Sequence, residues 1–600
     1  MYQNKERGFY YLNIVILLFS TLLILYGIKG SIQERLFTLQ HFSILTLLLF
    51  IKTFAFLSAG FLFAILLKKV LKIQKSEDSF SKRTMPFLIA GWVCYFISLF
   101  ILILKKWAYD RFPLDQPEIT YLTLTNVKGA EIDKEIYFEA GGIFFAALVI
   151  SIVFFLLTFF IQKKNNSSFI SSGIIKQINI NLLYFVFGII ILLCSVFDFS
   201  KDLKLGEYSA LIKKYSVPAA DSEFYRTEYK VPEYDNIIFP EKKKNLIIIL
   251  MESMESSFAD KENCGIMKKN LIPHLTKIAE ENIHFSNTEK LGGGTELSGT
   301  GWTIAAMTSK FAGLPYNLPG SNNHDHSYFL PGAVTLTDIL DHNGYNQLFI
   351  FGSDKHFAGR DALLETHGNV QVHDIAWYKE NGMLPQDYSV FWGFEDKKLY
   401  RFAKNELNNL SKEDKPFMFG LLTVDTHIPS GWQCEDCPQT EDMPIKNTIL
   451  CADQMVYDFL EWCREQEWYE DTTIVIMGDH LFMANEENTP FDNKAYLTSH
   501  RQKNELNTMD GNPRRWLDIF INAAPVTSSD NFKNRKFSSF DMYPTILAAL
   551  GCEIPQNRLG LGVNLFSEEK TLCERYSEDY INKEIMNRNI QYESMIYEDE

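Results

Sequence analysis

Three side chains capable of metal or phosphate chemistry follow two strongly apolar stretches of the chain. Glu252 comes directly after "NLIIILM", and Asp479 and His480 come directly after "TTIVIMG". Ligands of an open α/β sheet bind beyond the carboxyl ends of its strands, so these side chains are candidates for one site. Neighbours on a regular strand point to opposite faces, and we expect Gly478 to permit a turn on which Asp479 and His480 face one ion. Carboxylates and imidazole together suit manganese or zinc. For each residue alone, a cap or a satisfied polar group at a strand end explains the pattern equally well.

A glycine-rich segment, "LGGGTELSGTGWTIAAM" (residues 291–307), leads into a helical pattern that begins at Thr303. Backbone N–H groups at a helix N-terminus favour a phosphate or a developing oxyanion. Thr303 as a simple N-cap is the alternative, since threonine caps helices well. A cap would not explain the glycines before it, whereas close approach by a bulky group or a metal would. Those glycines are Gly292, Gly293, Gly294, Gly299 and Gly301. Thr295 and Thr300 are rival nucleophiles, disfavoured because they precede the helix.

The elements that must position these residues follow from residue 244 onward, where short apolar runs alternate with helical patterns. Strands are predicted at 245–251, 346–352, 417–424, 472–478 and 516–523. Helices are predicted at 274–281, 303–311, 334–342, 396–410 and 448–467. Near-continuous apolar strands that alternate with helices indicate an α/β domain with a mostly parallel central sheet and helices on both faces. Glu255 is expected to lie exposed on a helix after the first strand, and His324 and His326 on a polar lid.

The first two hundred residues contain five stretches long enough to cross a bilayer, which takes roughly 20 residues per helix. They lie at about 9–28, 41–67, 86–104, 141–161 and 177–197. The 68–85 and 162–176 connections are rich in lysine, and positive loops stay in the cytoplasm. The predicted organisation is a transmembrane domain of five helices (1–197), a connector (198–243), an extracytoplasmic catalytic domain (244–565) and an acidic C-terminal tail (566–600).

Cysteine placement and charge agree with an extracytoplasmic domain. Cys434, Cys437 and Cys451 cluster in one polar stretch. A zinc site would need further ligands at matching spacing, so in an oxidising compartment we expect a disulfide from Cys451 to Cys434 or Cys437. The formal net charge of −16 argues against a nucleic-acid partner.

The ordered set "MES", "GTGWTIAAM", "FAGRD", "TVDTHIP", "GDH" and "DMYPTILAALG" resembles the alkaline-phosphatase/sulfatase-like superfamily. Within it, the chain is similar to the membrane-anchored phosphoglycerol transferases. These include the lipoteichoic-acid synthases and, more closely, the enzymes that decorate periplasmic glucans. The resemblance covers roughly residues 244–565, and the five preceding spans match that family's layout. It implies a sulfatase-like α/β catalytic domain outside the inner, cytoplasmic membrane.

Carried over motif by motif, the resemblance implies a single-metal site formed by Glu252, Thr303, Asp479 and His480. Thr303 is then the nucleophile. One divalent cation is implied, with Mn²⁺ the first choice and Zn²⁺ or Mg²⁺ as alternatives.

Two further motif residues resemble substrate contacts of that family. Arg360 in "FAGRD" matches a substrate-phosphate residue, a task that suits a guanidinium fork. His427 in "TVDTHIP" matches a substrate-pocket histidine that would assist proton transfer, and a structural loop histidine is the alternative. Ala358 departs from the aromatic residue of the lipoteichoic-acid branch, and "GWTIAAM" follows the glucan branch.

The function implied by the resemblance is metal-dependent transfer of phosphoglycerol from phosphatidylglycerol to an extracytoplasmic glycan or glycerol-phosphate polymer. An alcohol needs activation to act as a nucleophile, and a metal would polarise the donor phosphate as a Lewis acid. The alternatives within the superfamily are a phosphoethanolamine transferase, a sulfatase or a phosphatase. A sulfatase would carry a Cys/Ser-x-Pro-x-Arg context, which the residues after Thr303 lack. A non-catalytic, membrane-tethered binding or sensing domain is a second alternative, and it predicts lost metal ligands.

Overall fold

The computed structural model describes residues 85–111, 141–153, 155–156, 180–202, 217–316, 330–428, 431–483, 489–491, 514–524 and 532–596. The chain divides into two compact units, of which the second contains the described residues from 217 onward. His324 and His326, expected on a polar lid, lie outside the described residues.

The first unit contains three apolar helices: α1 (Met85–Arg111), α2 (Gly141–Val153) and α3 (Ile180–Asp202). They coincide with the predicted spans at 86–104, 141–161 and 177–197. Within the part of the chain that the structure describes, one helical segment, Pro86–Lys105, is long and apolar enough to cross a membrane. The predicted spans at 9–28 and 41–67 and most of the lysine-rich loops lie outside the described residues. The five-span topology and its orientation therefore stay predictions.

The second unit is built around a six-stranded sheet with the order β3-β2-β4-β1-β5-β6. Its strands are β1 (Asn245–Met251), β2 (Asn346–Phe351), β3 (Gln371–His373), β4 (Phe417–Leu422), β5 (Thr472–Gly478) and β6 (Asp518–Ile521). The first five run parallel, whereas β6 pairs with β5 in the antiparallel sense. A short hairpin of β7 (Arg558–Leu559) and β8 (Gly562–Val563) stands apart from it. The mostly parallel sheet is confirmed, and β3 and the reversed direction of β6 were not anticipated.

Helices cover both faces of this sheet. In chain order they are α4 (Glu223–Glu228), α5 (Pro273–Glu281), α6 (Thr303–Ala312), α7 (Leu336–His342), α8 (Arg360–Glu365), α9 (Ile375–Glu380), α10 (Asp396–Leu410), α11 (Pro444–Arg464), α12 (Met542–Ala549), α13 (Leu572–Arg575), α14 (Glu578–Met586) and α15 (Ile590–Ile596). Alternate side chains of β1 enter different cores: Leu246 and Leu250 pack with α6, α7 and α12, and Ile247 and Ile249 with α5, α10 and α11. A strand buried on both faces has no polar side, which explains its continuous apolar sequence.

The segments on either side of the predicted catalytic domain pack into it. Phe224 and Tyr225 of the expected connector are buried in the same core as Ile581 and Tyr592 of the expected C-terminal tail. Both regions therefore contribute side chains to the core of the second unit. The acidic composition of residues 566–600 concealed the apolar residues that recur on the inner faces of α14 and α15.

An ion cluster fastens the connector to this C-terminal region. The carboxylate of Glu228 is 1% exposed and accepts hydrogen bonds from the guanidinium groups of Arg558 and Arg575 and from the hydroxyl of Tyr576. Desolvation would raise the pKa of Glu228, but these three partners outweigh it and lower the pKa to about 2. The carboxylate of Glu228 therefore stays ionised, and it holds the connector against Arg558, Arg575 and Tyr576.

A disulfide joins Cys437 to Cys451, with Cα atoms 5.0 Å apart. This selects one of the two pairings left open by the sequence. The free thiol of Cys434 lies beside it, with its Sγ 3.6 Å from the Sγ of Cys437. The bridge ties the loop after β4 to helix α11.

The expectation for Glu255 was wrong, because this side chain is fully buried. Strand β1 is followed not by a helix but by a sharp turn at Ser253, whose φ of 53° lies in the left-handed region. The carboxylate of Glu255 accepts hydrogen bonds from the backbone N–H of Phe482 and from the guanidinium of Arg514. Arg514 is itself 1% exposed, so the two charges form a buried pair.

Replacing Glu255 by alanine is expected to destabilise the protein by about 3–5 kcal/mol, because it removes the carboxylate partner from a buried guanidinium. The measurement is thermal unfolding of the full-length protein in detergent, followed by intrinsic fluorescence. The matched control is Asp471→Ala, which breaks an exposed pair with Lys242 and should cost less than about 1 kcal/mol. Equal shifts of the two melting temperatures would contradict the prediction.

Candidate functional site

The register of the sheet brings the two strand-end carboxylates together. Met251 of β1 lies opposite Gly478 of β5, so Glu252 and Asp479 follow side by side at the carboxyl edge. Gly478 does not make the expected turn, because it is the last extended residue of β5. A glycine is required there by the backbone of Met254, whose carbonyl oxygen would lie 1.9 Å from a Cβ at this position.

A sharp turn at Ser253, after β1, holds the two strand ends together, and sequence reasoning missed this residue. Its backbone N–H donates to Oδ1 of Asp479 at 2.7 Å, and its hydroxyl donates to Oε1 of Glu252 at 2.7 Å. The N–H of His480 also donates to Oδ1 of Asp479, at 2.7 Å. These bonds fix one oxygen of each carboxylate. The turn could not be predicted, because a serine in the left-handed region after an apolar strand has no sequence signature.

Glu252, Asp479 and His480 offer one ligand atom each within 4.8 Å of one another, and all three side chains are at most 3% exposed. The Nε2 atom of His480 lies 3.6 Å from Oε1 of Glu252 and 3.3 Å from Oδ2 of Asp479. Its Nδ1 bonds to the carbonyl of Leu481 at 2.9 Å, which leaves Nε2 as the ligand atom. Such a donor set suits a divalent cation.

The electrostatics of this group also fit a cation. Oδ2 of Asp479 is buried and has no hydrogen-bond partner within the described residues. Burial and the neighbouring Glu252 raise the pKa of Asp479 to about 7. Desolvation opposes charge on His480, but Asp479 and Glu252 outweigh it and raise the pKa of the imidazole. A positive ion would compensate two buried carboxylates that otherwise repel each other.

Thr303 is the first residue of α6 and its side chain faces this group. Trp302 occupies the N-cap position without any side-chain capping bond, so the interpretation of Thr303 as the N-cap is wrong. Thr303 is partly exposed, and its hydroxyl donates to Oε2 of Glu252 at 3.4 Å. A helix N-terminus without a side-chain cap keeps its N–H groups available for an anion beside the hydroxyl.

The glycines before Thr303 serve the close approach of the protein's own chain. A Cβ at Gly293 would lie 1.9 Å from the carbonyl oxygen of Trp516, and a Cβ at Gly294 would lie 2.0 Å from its indole ring. The glycines indicated close approach by a bulky group, and that group is the side chain of Trp516. Its Nε1 donates a hydrogen bond to the carbonyl of Thr295 at 3.3 Å. Lys310 of α6 lies above the same indole, with Nζ 4.2 Å from the ring centre.

The two rival threonines are more deeply buried than Thr303. Thr300 is 2% exposed, and its hydroxyl donates to the carbonyl of Leu297 at 2.8 Å. Thr295 is 3% exposed; its backbone N–H donates to the carbonyl of Phe537 at 2.8 Å, and its carbonyl accepts from Nε1 of Trp516 at 3.3 Å. Neither residue has the partial exposure that Thr303 shows.

Arg360 begins helix α8 and its guanidinium is held in place over two aromatic rings. It lies 4.5 Å from the ring centre of Phe351 and 5.5 Å from that of Phe357. It donates to the carbonyls of Asp354 at 2.5 Å and Phe357 at 3.2 Å. Burial lowers its pKa to about 10, and Asp354 and Glu252 counteract this, so it remains a cation at neutral pH.

His427 lies on the loop after β4, directly after Thr426, whose hydroxyl donates to the carbonyl of Glu252 at 2.5 Å. The Nδ1 of His427 bonds to the carbonyl of Ile428 at 2.8 Å. Desolvation lowers the pKa of His427 to about 4, and the positive charge of His480 and Arg360 acts in the same direction. The imidazole is therefore neutral near pH 7 and can accept a proton.

A second pair of buried carboxylates supports this loop and was not found from the sequence. Asp396, the first residue of α10, accepts hydrogen bonds from the backbone N–H groups of Val424 and Asp425. Both carboxylate oxygens of Asp425 are buried without a hydrogen-bond partner among the described residues. Burial and Asp396 raise the pKa of Asp425 to about 9. Such pairs arise from tertiary packing, which spacing in the sequence does not reveal.

Asp425→Asn is expected to weaken the pH dependence of stability. The folded-state pKa of about 9 exceeds the unfolded value of about 3.9. Between these values the folded protein keeps a proton that the unfolded chain releases, so the wild type loses stability as pH rises from about 4 to 9. Asparagine does not titrate and removes this contribution. Melting temperatures of the full-length protein over that pH range, with exposed Asp471→Asn as the control, test it. Parallel curves for wild type and Asp425→Asn would contradict it.

Comparison with known proteins adds a family. The sequence profile of the Sulfatase family matches residues 244–552, more than half of the 600-residue chain. The match contains every predicted site residue: Glu252, Thr303, Arg360, His427, Asp479 and His480.

Two curated relatives of this chain have the same name, phosphoglycerol transferase I. "Phosphoglycerol transferase I" of Xanthomonas campestris pv. campestris (strain B100) is 31% identical over 281 residues, which cover 45% of this chain and 38% of that protein. "Phosphoglycerol transferase I" of Escherichia coli O6:K15:H31 (strain 536 / UPEC) is 29% identical over 310 residues, which cover 50% of this chain and 38% of that protein. The chain thus spans 38% of the length of each relative.

Among solved structures, the lipoteichoic acid synthase LtaP from Listeria monocytogenes aligns with a TM-score of 0.42 at 18% identity. The alignment covers 60% of this chain and 81% of that chain.

Proposed function

The chain belongs to the Sulfatase family, and on this premise we propose that it transfers phosphoglycerol from phosphatidylglycerol to an extracytoplasmic glycan or polyol. The observation that supports this most is the Thr303 hydroxyl, placed at an uncapped helix N-terminus against the buried Glu252–Asp479–His480 group. This arrangement offers a nucleophile, an anion site and cation ligands at one point. The relatives named phosphoglycerol transferase I favour a phosphoglycerol substrate.

A divalent cation would be held by Glu252, Asp479 and His480, with Thr303 completing the set. When bound, it would supply Lewis-acid polarisation of the donor phosphate and lower the pKa of a coordinated hydroxyl. Two carboxylates with one imidazole suit Mn²⁺ first, and Zn²⁺ or Mg²⁺ as alternatives.

The reaction has two displacements at phosphorus. In the first, Oγ1 of Thr303 forms a bond to the donor phosphorus while the bond from phosphorus to the diacylglycerol oxygen breaks. Diacylglycerol leaves with a proton, and a phosphodiester of glycerol remains on Thr303. In the second, an acceptor hydroxyl forms the new bond to phosphorus while the bond from phosphorus to Oγ1 of Thr303 breaks, and Oγ1 takes up a proton to restore the threonine hydroxyl. The neutral imidazole of His427 accepts the proton of that hydroxyl.

Arg360 is suited to hold the phosphate during both steps. Nε and Nη2 are used by backbone carbonyls, and Nη1 makes no hydrogen bond within the described residues. A cation fixed over Phe351 and Phe357 would bind the non-bridging oxygens without first reorganising.

A donor confined to a bilayer explains why the catalytic unit is preceded by apolar helices. Helix α1 contains a segment, Pro86–Lys105, that is long and apolar enough to span a membrane. We place the protein in the inner, cytoplasmic membrane as a multi-pass protein with its second unit outside, where donor headgroups and envelope glycans are both reached.

The test uses the full-length protein in lipid nanodiscs with Mn²⁺ and head-group-labelled donors. Labelled phosphatidylglycerol should release diacylglycerol and pass its label to glycan or polyol acceptors. Labelled phosphatidylethanolamine should not react, and transfer from it instead would mean a phosphoethanolamine transferase. Hydrolysis of sulfate or phosphate esters without transfer would mean an ordinary hydrolase, and no reaction with any donor would favour a binding domain.

A further inference from the structure

A row of partly exposed aromatic rings borders the candidate site. Its members are Phe357, Trp392, Phe391 and Trp432, with the imidazole of His427 beside Trp392. Ring centres are 5.8 Å apart for Phe357 and Trp392, 6.4 Å for Trp392 and Phe391, and 6.4 Å for Phe391 and Trp432. The Trp392 ring lies 4.7 Å from the ring of His427. The aromatic row therefore starts at Phe357, beside the guanidinium of Arg360, and continues past the imidazole of His427.

These rings are not packed as core aromatics are. Phe349 and Phe351 of β2 and Tyr378 of α9 are fully buried, whereas the four rings of the row keep part of their surface in solvent. Large aromatic side chains that stay partly exposed beside polar groups such as Arg360 and His427 are typical of ligand contacts. Their hydrophobic surface is then covered when a ligand binds.

The loops that carry the row are fixed to the ends of β2 and β4. Phe391 and Trp392 sit in a turn closed by a bond from the N–H of Val390 to the carbonyl of Gly393 at 2.8 Å. Gly393 has a φ of 150°, and a Cβ there would lie 1.9 Å from the carbonyl oxygen of Gly352. The N–H of Trp432 donates to the carbonyl of Asp425 at 2.7 Å. The backbone segments that carry the rings are thus held before a ligand arrives, which reduces the entropy lost on binding.

We propose that the aromatic row is the subsite that binds a sugar ring of a glycan acceptor, with Trp392 as the ring on which the sugar stacks; this rests on the proposed transfer reaction. A pyranose face presents C–H bonds with slight positive charge, which the negative face of an aromatic ring attracts. A sugar stacked on Trp392 lies beside His427, where one of its hydroxyls reaches the proton acceptor of the second displacement. Phe391 and Trp432 extend the surface to the next sugar units.

Two other occupants fit this surface less well. An acyl chain binds an unbroken apolar groove, whereas this row is interrupted by the imidazole of His427 and begins at the guanidinium of Arg360. An ammonium headgroup would use the rings through cation–π contacts, but the fixed positive charge of Arg360 repels it. A neutral ring with hydroxyls meets neither obstacle.

The experiment compares acceptors with and without a ring, using full-length protein in nanodiscs that contain labelled phosphatidylglycerol. The acceptors are a panel of neutral glucan oligosaccharides of several linkages and, separately, glycerol. Trp392→Ala is expected to lower the ratio of transfer to glucan over transfer to glycerol by roughly 10- to 100-fold, the loss typical of removing one stacked ring. Trp392→Phe should recover most of the ratio, because a flat aromatic face remains.

The matched control is Trp468→Ala. Trp468 is also partly exposed, but it packs on Phe417, the first residue of β4, at the amino edge of the sheet and away from the site. It should leave the acceptor ratio at the wild-type value. Intrinsic fluorescence, titrated with the same oligosaccharides without donor, should respond in wild type and Trp468→Ala but not in Trp392→Ala.

An unchanged acceptor ratio in Trp392→Ala, or a wild type that uses glycerol but no glucan of the panel, would overturn the proposal. Failure of the transfer reaction itself is separate, because it shows as no release of diacylglycerol by the wild type. In that case the fluorescence titration alone decides whether the row binds sugar.

Discussion

Replacing Thr303 by alanine is expected to abolish phosphoglycerol transfer, with a fall on the order of 10³-fold or more, because the covalent route loses its nucleophile. The fold should remain intact. Thr303 is the first helical residue and not the cap, and its described side-chain bond is the 3.4 Å contact with Glu252. Alanine is moreover a better helix former than threonine. The melting temperature should therefore stay close to that of the wild type.

The decisive measurement is a trapped adduct. After brief reaction with labelled donor, the peptide that spans residues 291–310 should carry glycerol phosphate on Thr303. Thr303→Ser should retain part of the activity because the hydroxyl survives. Thr300→Ala is the matched control, since it removes a nearby hydroxyl that is already bonded to the carbonyl of Leu297. It should cost about 1 kcal/mol of stability and little activity. An adduct on Thr300, or full activity in Thr303→Ala, would refute the assignment.

Much of the sheet follows directly from the sequence. The strands predicted from residues 245, 346, 417 and 472 begin where the structure places β1, β2, β4 and β5. Central parallel strands have no polar face, so their apolar runs stand out from the rest of the chain. The parallel register then makes Glu252 and Asp479 neighbours without any further information. The central part of the candidate site is therefore predictable from local pattern and one topological rule.

The contacts that shape the rest of the site join residues far apart in the chain. Gly294 is a glycine because of Trp516, and Glu255 is buried because of Arg514. The turn that orders both carboxylates depends on Ser253, which has an unusual conformation for its residue type. No periodicity or spacing encodes such pairs, since each requires the folded sheet to bring its members together. The glycine-rich loop was thus recognised as constrained, but its cause lay in a distant tryptophan.

The same distinction applies at two polar segments of the chain. From the sequence we expect Glu255 exposed on a helix after the first strand, and residues 566–600 in an acidic tail, and charged residues do lie mostly outside. In the structure, Glu255 is paired with Arg514, and Ile581 and Ile585 of α14 enter the core beside exposed acidic neighbours. Composition averages over a segment, whereas burial is decided residue by residue.

Asp479→Asn is expected to abolish metal binding and transfer together, because it removes a charged ligand while keeping the shape of the side chain. The retained Oδ1 can still accept from the N–H groups of Ser253 and His480. The replaced atom is Oδ2, which has no hydrogen-bond partner among the described residues. The substitution therefore removes a cation ligand without breaking a described hydrogen bond.

The melting temperature distinguishes a loss of metal binding in Asp479→Asn from misfolding of the variant. A cation that binds only the folded wild type raises its melting temperature, by an amount equivalent to about 2.7 kcal/mol at 100 times the dissociation constant. In Asp479→Asn that rise should disappear. The metal-free variant should melt no lower than the metal-free wild type, because removing one of two buried, repelling carboxylates relieves the repulsion with Glu252.

Asp425→Asn is the matched control for the metal experiment, because it also replaces a buried carboxylate. Neither oxygen of that carboxylate has a hydrogen-bond partner among the described residues. Asp425 does not belong to the Glu252–Asp479–His480 group, so its variant should keep the metal-induced rise in melting temperature. Calorimetric titration with Mn²⁺ should show binding to wild type and Asp425→Asn and none to Asp479→Asn. Wild-type affinity in Asp479→Asn would mean that the ion is held elsewhere. The burial of Glu252 beside Asp479 would then need another explanation, since burying two like charges without a cation is costly.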